Sequence, residues 1–128
     1  MIKIDDLLGI RFVTHGRDKK GYDCYGLAIE VSARFGHKLV DMYYDYNSSN
    51  NLQDLDDNTY NIIKGSKLES TETPSESDII LFFDRKGRTT HIGVYLSNDN
   101  FIHCDENGVH VSRLSTYFRK WKAYKWQN

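Results

Sequence analysis

The chain of 128 residues is poor in several things that would have settled its class at once. It has two cysteines, Cys24 and Cys104, too few for a disulfide framework and not spaced as a zinc site. Neither sign of charge is in excess, because 17 basic residues face 18 acidic ones, which argues against a general nucleic-acid-binding surface. No basic leader followed by an apolar core opens the chain, and no apolar run approaches the roughly eighteen residues that span a bilayer. Neither a secretion signal nor a membrane span is therefore expected, and synthesis in reducing cytosol is. Repeats and low-complexity tracts are also lacking, and the length suits one domain over residues 1–128.

The charge that is present is uneven. Nine acids lie between Asp41 and Asp78 against only Lys64 and Lys67, whereas beyond Glu106 no acid appears and Arg113, Arg119, Lys120, Lys122 and Lys125 do. Two solvated faces account for this pattern, although it could also orient the domain on an anionic partner.

Residues 24–35 carry the strongest helical signal, with Asp23 as N-cap, an apolar stripe of Leu27, Ala28, Val31 and Phe35, and Gly36 as the stop. A short helix is expected at residues 5–8, loops at 11–20 and 43–51, and a second helix around Leu52, Leu55, Ile62 and Ile63. The acidic stretch 66–77 reads as a surface loop. After the only proline, Pro74, the pattern turns to strands: 78–83, 90–96, 100–104, 109–113 and 121–126, with a helical turn at 115–120. Helices first and an antiparallel meander after them make an α+β arrangement.

Cys24 opens the strong helix, so its thiol sits at the positive end of a dipole that favours the thiolate, and the free amides around Cys24 and Tyr25 can donate to an oxyanion. A thiol with an ordinary pKa of about 8.5 also needs a base, and a base needs a partner to fix its tautomer. His91 and His103 bracket the polar turn Ser97-Asn98-Asp99-Asn100. A hairpin centred on position 97 sets them opposite each other with Cβ atoms about 5 Å apart and lays Phe101 over Gly93. His110 is a weaker rival, since this register puts His103 beside His91. Cys104 follows His103 and points to the other face. Asp23 reads as a cap rather than a catalytic acid, His37 as an exposed turn residue, and Trp121, Tyr124 and Trp126 as aromatics of a final strand. His15, just upstream of the thiol, is a candidate for the cleft.

The segments Gly21-Tyr22-Asp23-Cys24-Tyr25-Gly26-Leu27, Pro74-Ser75-Glu76-Ser77-Asp78-Ile79-Ile80-Leu81-Phe82-Phe83 and His91-Ile92-Gly93-Val94-Tyr95 with Phe101-Ile102-His103 resemble, in order, the signature blocks of the NlpC/P60 family of papain-like cell-wall peptidases. The resemblance implies N-terminal helices packed on an antiparallel sheet of five to six strands, with Cys24 as nucleophile, His91 as base and His103 as the residue that orients it. It further implies hydrolysis of peptidoglycan stem peptides between D-glutamate and a diamino acid, with no cofactor or metal. Gly16-Arg17-Asp18 and Tyr25 resemble the phage-borne branch, which implies phage tail partners and delivery to the wall. Two positions depart from the family: Phe12 stands where many relatives carry an oxyanion-site tyrosine, and Ser77 where the second block has glycine. A tail protein without catalysis and a thiol acyltransferase or amidase toxin are the competing readings.

Overall fold

The computed structural model describes residues 2–41 and 52–127; the loop expected at 43–51 lies outside the described residues. A short antiparallel pair, β1 (Arg17–Asp18) and β2 (Gly21–Tyr22), leads into helix α1 (Cys24–Arg34), and helix α2 spans Leu52–Gly65. Six further strands follow: β3 (Leu68–Thr71), β4 (Ile79–Phe83), β5 (Thr89–Ser97), β6 (Asn100–Asp105), β7 (Gly108–Arg113) and β8 (Lys120–Trp126). They form one antiparallel sheet in the order β3-β8-β4-β5-β6-β7.

The sheet is not a simple meander. Strands β4 to β7 are, but β8 returns across the sheet to pair with β4 on one side and β3 on the other. The β3 strand falls inside the stretch expected as a loop, because its Leu-Glu-Ser-Thr has a single apolar residue and an edge strand needs little more. Residues 5–9 make turns rather than the expected helix, ending at Gly9 with φ +85°. Residues 114–119 are likewise turns and bends, not helix.

Alternation in the central strands divides the core. Ile79, Leu81, Ile92, Val94, Ile102, Cys104 and Val109 face α1 and α2, meeting Leu27, Ala28, Val31 and Ile62. Ile80, Phe82, Phe101, Leu114 and Ala123 form a second cluster, with Tyr95, Tyr117 and Trp121 against it. Burying a Leu- or Phe-sized side chain is worth about 1.5–3 kcal/mol, so both layers hold β4–β6 rigid and give the site a fixed frame. His37, expected to be idle, stacks on Trp126 with ring centroids 4.6 Å apart.

Candidate active site

Asp23 caps α1, its Oδ1 accepting from the Gly26 amide at 2.6 Å. Its Oδ2 accepts from the His15 amide at 3.1 Å, and Arg17 donates to Oδ1 at 3.0 Å while also reaching Asp41. The carboxylate is thus consumed in shaping the turn before Cys24, as its capping role requires. His15 contributes through its backbone, which has φ +61°. The Tyr25 side chain is buried and donates to the Val40 carbonyl, so only its amide faces the thiol. Phe12 forms a bridge to Tyr22 beside the helix start and is 41% exposed, with no hydroxyl to offer.

The backbone amides of Ile92 and Tyr25 lie close enough to the Cys24 sulfur to favour its thiolate. The Ile92 nitrogen belongs to the peptide that joins it to His91, so the thiol meets the sheet at the base of that histidine. One extra residue in β5, where the ladder shifts from Phe82↔His91 to Phe83↔Thr89, bends the strand next to His91.

The structure brings the two histidines together in a different register from the one the turn suggested. Asn98 and Asp99 both have positive φ, 52° and 69°, and make a two-residue turn closed by Ser97 and Asn100. A second irregularity at Leu96 then pairs Val94 with Ile102, which sets Gly93 level with His103. The slip is two residues, an even number, so every side chain keeps its face. His91 and His103 meet diagonally, Nε2 to Nδ1 at 2.7 Å. Gly93 makes this possible: a Cβ there would stand 2.9 Å from the Phe101 ring and 3.4 Å from the His103 Cβ.

Beyond His103 the line continues. Its Nε2 lies 2.9 Å from Ser112 Oγ on β7, a residue the sequence reading passed over although it shares a face with His110 by simple alternation. Only one proton assignment lets Nδ1 of His91 serve as a base. His91 then carries its proton on Nε2 and donates to His103 Nδ1, and His103 carries its own on Nε2 and donates to Ser112. Tyr117, also unforeseen, stands edge-on to His103 at 5.5 Å and seals it from solvent together with Phe101. The His110 ring packs at a tilt against His103, centroids 4.4 Å apart, and its Nε2 is 2.9 Å from Asp105 Oδ2. Cys104 faces away from His103, its thiol donating to the Tyr22 carbonyl.

Burial governs the electrostatics. It pushes the Cys24 thiol up to about 12, with the Asp23 charge adding to the rise and the two amides opposing it. It pulls His91 down to about 3, with repulsion from a protonated His103 second, and His103 to about 4. Burial thus disfavours both charged forms, the thiolate of Cys24 and the imidazolium of His91, against the helix dipole that favours the thiolate.

The model of the NlpC/P60 family matches residues 9–127. The probable peptidoglycan endopeptidase LytE of Bacillus subtilis is 35% identical over 57 residues, 44% of this chain and 16% of LytE. The murein DD-endopeptidase MepS/murein LD-carboxypeptidase of Escherichia coli K12 is 29% identical over 119 residues, 90% of this chain and 54% of that protein. This chain thus spans about half the length of one curated relative and about a sixth of the other. Among solved structures, NlpC2 from Trichomonas vaginalis superposes with a TM-score of 0.69 at 20% identity, over 95% of this chain and 43% of that one. The NlpC/p60 domain of the peptidoglycan hydrolase SagA gives 0.54 at 18% identity, over 89% and 86%. The fold, the order of the three sequence blocks and a family match across nearly the whole chain agree, and the protein belongs to the NlpC/P60 family.

Proposed function

We propose that the protein is a cysteine peptidase that hydrolyses an amide bond in peptidoglycan stem peptides, with Cys24 as nucleophile, His91 as base and His103 as the group that orients it. The observation that carries this reading is the hydrogen-bonded line from His91 through His103 to Ser112, which begins beside the peptide that holds the Cys24 sulfur. As the sulfur attacks a carbonyl carbon, its proton passes to His91 Nδ1, and the imidazolium formed is stabilised by the hydrogen bond it gives His103. Amides at the start of α1 would donate to the oxyanion. The imidazolium then protonates the leaving amine, and the thioester left on Cys24 is released by water that His91 deprotonates.

The bond between the side-chain carboxyl of D-glutamate and the following diamino acid is the target implied by the family, and the endopeptidase names of LytE and MepS support the wall as substrate source. A place in a phage tail rests on Gly16-Arg17-Asp18 and Tyr25. Those residues also have structural work, since Arg17 neutralises the cap Asp23 and Tyr25 anchors the segment at Val40.

The reading is tested by incubating the chain with purified muropeptides beside a Cys24→Ala control and weighing the products. Hydrolysis adds one water and leaves a new carboxylate and a new amine, both absent with Cys24→Ala. A transferred acyl group would instead favour the acyltransferase. No Cys24-dependent product under reducing conditions would favour a structural role, for which Phe12 is the observation.

A further inference from the structure

His103, Asp105 and His110 each present one donor atom within 4.8 Å of the other two. The grouping follows from the ladder: His103 pairs with His110 across β6 and β7, and Asp105 lies two residues along from His103 on the same face. His103 is fully buried, while the side chains of Asp105 and His110 are 29% and 39% exposed. The cluster therefore opens to solvent at one end and touches the proposed catalytic line at the other.

We propose that His103, Asp105 and His110 form a binding site for a zinc-like divalent transition-metal ion, and that its occupation switches the peptidase off. Two imidazoles and one carboxylate are the donor set that zinc takes with an open fourth position for water. Bonds of about 2.0–2.2 Å around a tetrahedral ion bring donors to about 3.4 Å of one another. The His110 Nε2 and Asp105 Oδ2 already stand 2.9 Å apart. Closing the remaining gap needs a movement of the two half-exposed side chains and none of the buried one.

The consequence for catalysis rests on the role proposed above for the histidine pair. His103 gives Nδ1 to His91, so Nε2 is the nitrogen left for a metal, and the ion replaces the proton shared with Ser112. That proton leaves to solvent. For His103 to stay neutral its Nδ1 takes the proton of His91 Nε2, and His91 in turn picks one up from solvent at Nδ1. The count of protons on the pair is unchanged, but each has moved to the other nitrogen. The nitrogen that must accept from Cys24 is now occupied, and the base is lost.

The test uses the tagless chain, with Co²⁺ as a spectroscopic probe and Zn²⁺ by calorimetry. Cys24→Ala removes the thiol as a competing ligand. One ion per chain should bind to Cys24→Ala with visible cobalt absorption. Binding should weaken at least tenfold in Cys24→Ala carrying His110→Ala or Asp105→Asn. In the otherwise natural chain, Zn²⁺ should inhibit muropeptide cleavage reversibly with EDTA, and in His110→Ala, measured against that variant's own metal-free rate, the half-inhibiting Zn²⁺ concentration should rise at least tenfold. The proposal is overturned if Cys24→Ala binds no ion, if binding survives His110→Ala, or if an ion bound at this cluster leaves cleavage unchanged. Failure of the peptidase reading is separate: it shows as no Cys24-dependent cleavage in metal-free protein, whatever the binding assays give.

Discussion

His91 Nε2 and His103 Nδ1 are 2.7 Å apart, although the residue level with His103 in the ladder is Gly93. The contact is diagonal, and it closes because Gly93 leaves room between the two rings. Replacing Gly93 with Ala puts a methyl 2.9 Å from the Phe101 ring and 3.1 Å from the Ile102 carbonyl. The ring can yield only into the second core layer, so about 1–3 kcal/mol of stability should be lost. Urea unfolding measures this, and kcat should fall further than the folded fraction does, because His103 is displaced from His91.

The far end of the line offers a milder perturbation. Ser112→Ala removes the acceptor at His103 Nε2 and with it the bond that selects the productive tautomer. A neutral hydrogen bond is worth about 0.5–1.5 kcal/mol, which corresponds to a fall in kcat of roughly 2- to 12-fold. KM should be unchanged, since Ser112 acts through His103, and Ser112→Thr should restore the rate. A drop in KM-linked binding instead would assign Ser112 to the substrate cleft.

Alkylation reads the state of the thiol directly. An ionising thiol whose folded pKa is raised stays protonated through neutral pH and becomes reactive only as the pH climbs toward that value. With Cys24 pushed up to about 12, its iodoacetamide rate should be low at pH 7 and still rising at pH 10, in a Cys104→Ala background. A rate that levels off below pH 8 would mean that the ion pair already exists in the free protein.

How far the sequence reached is clearest in the hairpin. Face was legible because alternation has period two, and any even slip preserves it, so His91 and His103 were bound to share a side. Register was not, because Asn98 and Asp99 both adopt left-handed backbone and Leu96 adds an irregularity that polar residues in a turn do not announce. The helix of Cys24 was legible to within a residue, since Asp23 and Gly36 mark its ends chemically. Strand β3 and Ser112 were not, because an edge strand and a half-buried serine owe their places to partners distant in the chain. For the ionisation of Cys24 only one of two opposing influences was legible: the helix dipole is visible in sequence, but the burial that pushes the thiol up is a property of the packed fold.

Ser77 stands where the family's second block has glycine, and its φ of 78° shows what the glycine is for. The amide of Ser77 bonds the Tyr95 carbonyl, and its own carbonyl accepts from the Trp126 indole, so the backbone cannot relax out of the left-handed region. A β-carbon there costs about 1–2 kcal/mol, partly offset by the greater freedom glycine gives the unfolded chain. Ser77→Gly should therefore stabilise the fold by about 0.5–1 kcal/mol with activity unchanged, as chemical denaturation with a constant m-value would record.

Phe12 bears on the rate of the proposed hydrolysis. It bridges to Tyr22, two residues ahead of Cys24, and its ring is 41% exposed, so a para-hydroxyl can be added without displacing a buried neighbour. The family resemblance implies a tyrosine at this position whose hydroxyl helps hold the oxyanion, and one such donor is worth roughly a hundredfold in kcat where nothing replaces it. Phe12→Tyr should raise kcat on muropeptides by about ten- to a hundredfold, with stability within about 0.5 kcal/mol of the natural chain. An unchanged kcat would mean that the amides at the head of α1 already hold the oxyanion and that the missing hydroxyl costs this protein nothing.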